Sequence, residues 1–187
     1  NTGRRYAVKV IEKAKVTGEK QLERLFREKA ILNELKSEAF VTTLYRTYQD
    51  EKHLYLLLEA AEGGDLFWHL RQHPDRRLPL PALRFVTRSL VQVLTGMCSR
   101  GILYRDIKPP NILFTATGDL RLADYGHAKQ LQSPSERSTS IVGTPHYTSP
   151  EALAGGDHGT TSQLWALGIL LFECACGKPP FFHVNSA

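Results

Sequence analysis

The segment Tyr104-Arg105-Asp106-Ile107-Lys108-Pro109-Pro110-Asn111, followed thirteen residues after the asparagine by Asp124-Tyr125-Gly126, brings together the side chains that phosphoryl transfer requires. That chemistry asks little covalent help of a protein. A hydroxyl must be held in line with the γ-phosphate of ATP, and the charge on the transferring group must be neutralised. Asp106 would orient the acceptor hydroxyl. Lys108, two residues on along an extended backbone, lies on the same side and within reach of the γ-phosphate. Asn111 and Asp124 offer the hard oxygen ligands that Mg²⁺ prefers, since it takes one or two from protein and completes its octahedron with phosphate and water. Pro109-Pro110 forbids helix continuation, giving a stiff loop whose polar ends face one cleft.

The elements that must position these groups follow from the apolar pattern. Strands are predicted at Tyr6–Ile11, Val41–Gln49 and His53–Glu59, with a helix over Gln21–Leu35 between the first two. On that helix Leu25, Ile31, Leu32 and Leu35 flank Glu28 and would seat it against the strands. Gly63-Gly64 breaks the chain before a helical Asp65–Gln72, so Glu59–Gly64 reads as a hinge. Phe85, Leu90, Val93, Leu94 and Met97 recur at helical spacing in Leu83–Arg100. Leu113, Leu120 and Leu122 flank the turn Thr117-Gly118-Asp119 in a hairpin leading to Asp124, and Thr161–Cys176 is expected as a buried helix.

At 187 residues, 42% hydrophobic and 23% charged, the chain is globular and long enough to bury a sizeable core. The net charge of +5 invites a nucleic-acid reading, but the basic residues alternate with acids and form no stripe. Cys98, Cys174 and Cys176 are spaced for neither a disulfide nor a zinc site, which fits a reducing compartment, cytoplasmic or nuclear. The longest uncharged apolar run, Leu164–Phe172, is too short to span a bilayer.

These motifs, in this order, resemble the eukaryotic protein kinases. Tyr6-Ala7-Val8-Lys9-Val10 is similar to the family's strand lysine, and Glu28, nineteen residues on, to the helix glutamate that pairs with it. Gly143-Thr144-Pro145 and Ser149-Pro150-Glu151 resemble the end of its activation segment. Tyr-Arg-Asp at Tyr104–Asp106, with Leu44-Tyr45-Arg46-Thr47-Tyr48 and Gly63-Gly64-Asp65-Leu66, is similar to the cyclic-nucleotide-dependent branch of the AGC kinases.

The resemblance implies an α+β, bilobal fold incomplete at both ends: a partial small lobe over 1–58, a hinge over 59–64 and a partial large lobe over 65–187, without the glycine-rich loop or the last large-lobe helices. It implies Ser/Thr kinase activity with ATP and Mg²⁺, Lys108 favouring Ser/Thr over Tyr. Catalytic roles fall to Asp106, Lys108, Lys9 and Glu28, with Lys9 holding the α/β-phosphates. ATP contacts fall to Ala7, Lys9, Leu58, Glu59, Ala61, Asp65, Leu113 and Asp124, and metal contacts to Asn111 and Asp124. Leu32, Leu44, Tyr104 and Tyr125 match a stack that links the lobes. Ser140 matches an activation-loop phosphosite cradled by Arg24, Arg105 and Lys129, which implies an upstream activating kinase. Asp65, Glu173 and Thr144 match substrate contacts, the acids receiving basic residues upstream of the acceptor.

Departures from the pattern support an alternative, a pseudokinase scaffold that binds nucleotide or protein partners without efficient transfer. Gln163 stands where the family has an Asp that accepts hydrogen bonds from the catalytic-loop backbone, and a neutral amide accepts more weakly. Pro110 replaces a frequent Glu, and Tyr125 a Phe, adding a hydroxyl that needs a partner. A small-molecule phosphotransferase of related fold is disfavoured because Gly143–Glu151 looks built to receive a peptide.

Overall fold

The computed structural model describes residues 3–131, 136, 142–156 and 159–181. Strand β1 (Tyr6–Glu12) is followed by a 3-10 turn and helix α1 (Glu19–Glu34), then β2 (Leu44–Gln49) and β3 (His53–Glu59). β3 is central in an antiparallel sheet of order β1-β3-β2, with Ala7 opposite Leu58 and Lys9 opposite Leu56. On α1 the residues turned inward are Glu28, Ile31 and Leu32, continued by Leu35, the i, i+3, i+4, i+7 stripe of an amphipathic helix with a carboxylate at its head. The sequence pattern therefore places Glu28 inside the molecule.

The rest is mostly helical: α2 (Leu66–Gln72), α3 (Leu80–Ser99), the two-residue strand β4 (Ile102–Leu103), the hairpin β5 (Ile112–Phe114) and β6 (Leu120–Leu122), β7 (Lys129–Gln130), the short α4 (Pro150–Leu153) and α5 (Thr160–Cys176). The fold is α+β and bilobal. One apolar core runs through it, from Leu32 and Leu44 past Tyr104, Ile112 and Tyr125 to Leu90, Met97 and Leu170.

Several expectations are corrected. The strand predicted from Val41 begins at Leu44, because residues 40–42 pair elsewhere: Leu122 N–H donates to the Phe40 carbonyl at 2.7 Å and Thr42 N–H to the Leu122 carbonyl at 3.1 Å. Asp65 is the cap of α2 rather than its first residue. α3 starts three residues earlier than predicted, at Leu80, because Pro81 suits the first turn of a helix. Pro109-Pro110 ends no helix but opens a single 3-10 turn over Pro109–Asn111, closed by Asn111 N–H on the Lys108 carbonyl at 3.1 Å. α5 is not buried all round: Leu164 and Phe172 face solvent. The β4–β7 pair was not anticipated, two residues being too few to show a period.

Candidate active site

Lys9 projects from β1 toward two carboxylates. Its Nζ lies 2.7 Å from Glu28 Oε1 and 3.0 Å from Asp124 Oδ1, tying the sheet, α1 and the segment after β6 into one point. Burial alone would lower the Lys9 pKa, but Glu28 and then Asp124 outweigh it and the net shift is upward. Burial likewise works against the Asp124 carboxylate, and the Lys9 charge outweighs it, leaving Asp124 below its ordinary value. Each group holds the other charged.

The second cluster lies on the loop after β4. Asp106 is buried, and its Oδ2 accepts from Lys108 Nζ and from Asn111 Nδ2, both at 2.8 Å. Asn111 Nδ2 also donates to the Asp106 carbonyl at 2.9 Å, which fixes the amide orientation and turns Asn111 Oδ1, a hard oxygen donor, away from these bonds. Ala123 N–H donates to the Asn111 carbonyl at 2.9 Å, so the hairpin's base holds Asn111 beside the strand that delivers Asp124. Asn111 and Asp124 together offer hard oxygens, the donor set Mg²⁺ accepts. Among the described residues no cluster of three or more His, Cys, Asp or Glu could form a closed cage of another kind.

Two features brace this loop. Gln163, buried on α5, accepts the Tyr104 N–H on its Oε1 at 2.5 Å, and its Nε2 donates to Cys98 Sγ at 3.3 Å. The extra methylene lets the amide do the accepting expected of an aspartate. Gly143, at φ +97°, packs so closely that a Cβ there would sit 2.6 Å from the Arg105 carbonyl, so only glycine lets the segment approach, and Thr144 Oγ1 then reaches Asp106 Oδ1 at 3.4 Å.

The expected stack is present in part as direct contact. Leu32, Leu44, Tyr104 and Tyr125 all lie in the one core cluster, and the two tyrosine rings meet edge-on at 5.3 Å. The Tyr104 hydroxyl donates to the Ala123 carbonyl. The Tyr125 hydroxyl, fully buried, finds no hydrogen-bond partner among the described residues, and burial pushes its pKa up.

Toward the hinge, Ala7 and Leu58 face each other across β1 and β3, while Leu113 bridges to Asp65. Gly63 N–H donates to the Phe114 carbonyl at 2.7 Å, so hinge and hairpin are stitched together within reach of Ala61. The Glu59 side chain is taken up within the fold: both its oxygens lie 3.0 Å from Arg121 Nε. Asp65 Oδ1 caps α2 by accepting Trp68 N–H at 2.6 Å. Glu173 Oε2 accepts from the Tyr147 hydroxyl at 2.5 Å.

Arg24 and Arg105 converge. Burial, with repulsion from Arg27 and Arg24, lowers the Arg105 guanidinium to about 10. Arg27 was missed by sequence reasoning, although its spacing of three from Arg24 on a helix signals one face. Lys129 Nζ lies 2.7 Å from Glu136 Oε1. Ser140 lies outside the described residues.

This is the arrangement of a protein kinase, and the chain belongs to that family: the protein kinase domain matches it over residues 1–187. Among individual proteins it is similar to a cAMP-dependent protein kinase catalytic subunit of Dictyostelium discoideum, 39% identical over 95% of this chain and 26% of that protein. A cAMP-dependent protein kinase catalytic subunit-like protein of Caenorhabditis elegans is 38% identical over 96% of the chain and 44% of its own length. An atypical protein kinase C of Drosophila melanogaster is 36% identical over 96% of the chain and 29% of its own length. The chain thus spans less than half the length of each.

Proposed function

We propose that this chain carries the catalytic centre of an ATP-dependent Ser/Thr protein kinase of the AGC type. The carrying observation is the double tether of Asp106, whose Oδ2 meets both Lys108 and Asn111 at 2.8 Å, beside the Lys9–Glu28–Asp124 pairing. Asp124 and Asn111 would hold Mg²⁺, which would supply charge neutralisation on the phosphates. Asp106 turns Oδ1, which Thr144 Oγ1 approaches only at 3.4 Å, to the acceptor hydroxyl and takes its proton as the γ-phosphoryl group passes from ATP to the hydroxyl oxygen and ADP leaves. Lys108 stabilises the charge on the moving group, and Lys9, kept in place by Glu28, grips the α/β-phosphates.

The scaffold alternative rested on Gln163 and Pro110. Gln163 accepting from Tyr104 N–H supports the catalytic reading, since the loop keeps its anchor. Activation by phosphorylation of Ser140 is part of the proposal, with Arg24, Arg27 and Arg105 receiving the anion. So is a basic residue upstream of the acceptor, read chiefly at Asp65, which has an oxygen beyond the one that caps α2.

In the complete protein, radiolabel transfer from ATP to a mixed Ser/Thr peptide pool should fall by about 10²–10⁴-fold in Asp106→Asn, the range for losing a positioned base. Equal incorporation by wild type and variant would overturn the reading.

A further inference from the structure

A groove of about 370 Å³ opens beside the acceptor end of the site, sharing Lys108 and Thr144 with it. Also on its wall are Pro110, Arg71, Arg76 and Lys178. Arg71 comes from α2, Arg76 from the turn after it and Lys178 from just beyond α5, so three separate elements deliver cations to one place. Among the described residues no carboxylate forms an ion pair with any of them. The groove's one carboxylate is Glu173, half-buried and already accepting from the Tyr147 hydroxyl. At the neighbouring position Pro110 contributes no charge.

The convergence is held by close backbone packing. Gly177 ends α5 at φ +80°, and a Cβ there would lie 2.2 Å from the Asp75 carbonyl, so only glycine admits the turn that carries Arg76. That turn is fastened by Leu78 N–H on the Cys174 carbonyl at 2.8 Å and by Arg76 N–H on the His73 carbonyl at 3.0 Å. Arg76 takes a left-handed φ of 54°, and Arg71 lies over the Phe67 ring at 5.7 Å from its centroid. A fixed turn presenting a guanidinium to the channel that leads from the acceptor suits an anionic ligand, because guanidinium forks match carboxylate and phosphate oxygens two at a time.

We propose that this groove recognises an anionic side chain of the protein substrate, a carboxylate or a phosphoserine flanking the acceptor, with Arg71, Arg76 and Lys178 as its specificity-determining residues. The proposal rests on the kinase reading and sharpens it: Asp65 reads a basic residue, and a second subsite, where the family resemblance implies arginine, has the opposite sign. Substrates would then carry both signs around the acceptor.

The test is a positional peptide library on the complete protein, with Asp, Glu, phosphoserine, Arg and neutral residues at each position around a serine. Enrichment of the acidic residues at one position by about three- to tenfold is expected, the span of one to two charge-assisted contacts at a partly exposed site. In the double variant Arg71→Glu, Lys178→Glu that position should turn to Arg, whereas Asp65→Ala should lose the Arg preference elsewhere and keep the acidic one. The Asp and phosphoserine arms decide which anion is preferred. An unreactive acidic peptide with Ala at the acceptor, bound in the presence of a non-hydrolysable ATP analogue, should likewise bind more tightly than its neutral counterpart and lose that advantage in the double variant. This binding arm keeps its meaning if no transfer occurs, which would count against the kinase reading alone. A flat or Arg-preferring profile at every position, or an acidic preference unchanged by charge reversal, would overturn the inference. So would charge reversal that only lowers the melting temperature, because the cations would then serve only the C-terminal end of α5.

Discussion

The catalytic centre and the arginine cluster behind it treat positive charge in opposite ways. At the centre, Lys9 meets two carboxylates and Lys108 one, and the Lys9 pKa rises. In the cluster, Arg24 and Arg27 press on Arg105, whose guanidinium is lowered to about 10. The first region carries its counter-charges within the fold. In the second, like charges crowd one another around Arg105, whose Nε is held on the His127 carbonyl at 2.8 Å.

The comparison is broken most severely by removing a cation from the self-sufficient side. Lys9→Met should cost about 10²–10³-fold in kcat/KM for ATP, as for loss of one preorganised charge, and leave Glu28 and Asp124 facing each other without their counter-ion. Steady-state kinetics at varied ATP will read it.

Removing the phosphate proposed for Ser140 should cost less. Ser140→Ala, in enzyme from its native cell and with Ser138 and Thr139 intact, should lower activity about tenfold, and Arg27→Ala in the phosphorylated enzyme should mimic part of that loss. Full activity in Ser140→Ala would make the cluster a static feature.

Smaller still is the neutral anchor between the regions. Gln163→Ala strands the buried Tyr104 N–H, so unfolding free energy should drop by about 1–3 kcal/mol and kcat by up to about tenfold, with KM for ATP little changed. Denaturant titration and kinetics separate the two effects.

The mildest probe is acid. Asp124 sits below its ordinary carboxylate pKa in the folded chain, so the unfolded chain binds the proton more readily. Its contribution to stability is present above about pH 4 and fades as pH falls through the folded value. The melting-temperature gap between wild type and Asp124→Asn should therefore close below about pH 4 in scanning calorimetry.

Much of this was legible because the decisive residues ride on strong periodicities. Glu28 heads an i, i+3, i+4, i+7 stripe, so its burial could be read before any coordinates, and the spacing of Asp106, Lys108 and Asn111 carried their proximity. What escaped was set by contacts distant in sequence. Val41 looks like strand, but Thr42 pairs with Leu122, eighty residues away, and not with β3. Gln163 looked like a lost carboxylate because the composition of a site shows the atom type and not the reach of the side chain. The cationic groove joins Arg71, Arg76 and Lys178 from segments whose meeting depends on Gly177 touching Asp75. No local pattern announces that contact.

The Tyr125 hydroxyl bears on how firmly the ring stays packed. Buried with no hydrogen-bond partner among the described residues, it makes the packed ring less favourable than a phenylalanine there by about 1–3 kcal/mol, the cost of a stranded polar group. Where an inward and an outward arrangement of the ring exchange, that difference alone moves the balance roughly five- to 150-fold toward the outward one. The single oxygen atom thus acts as a counterweight to the packed arrangement.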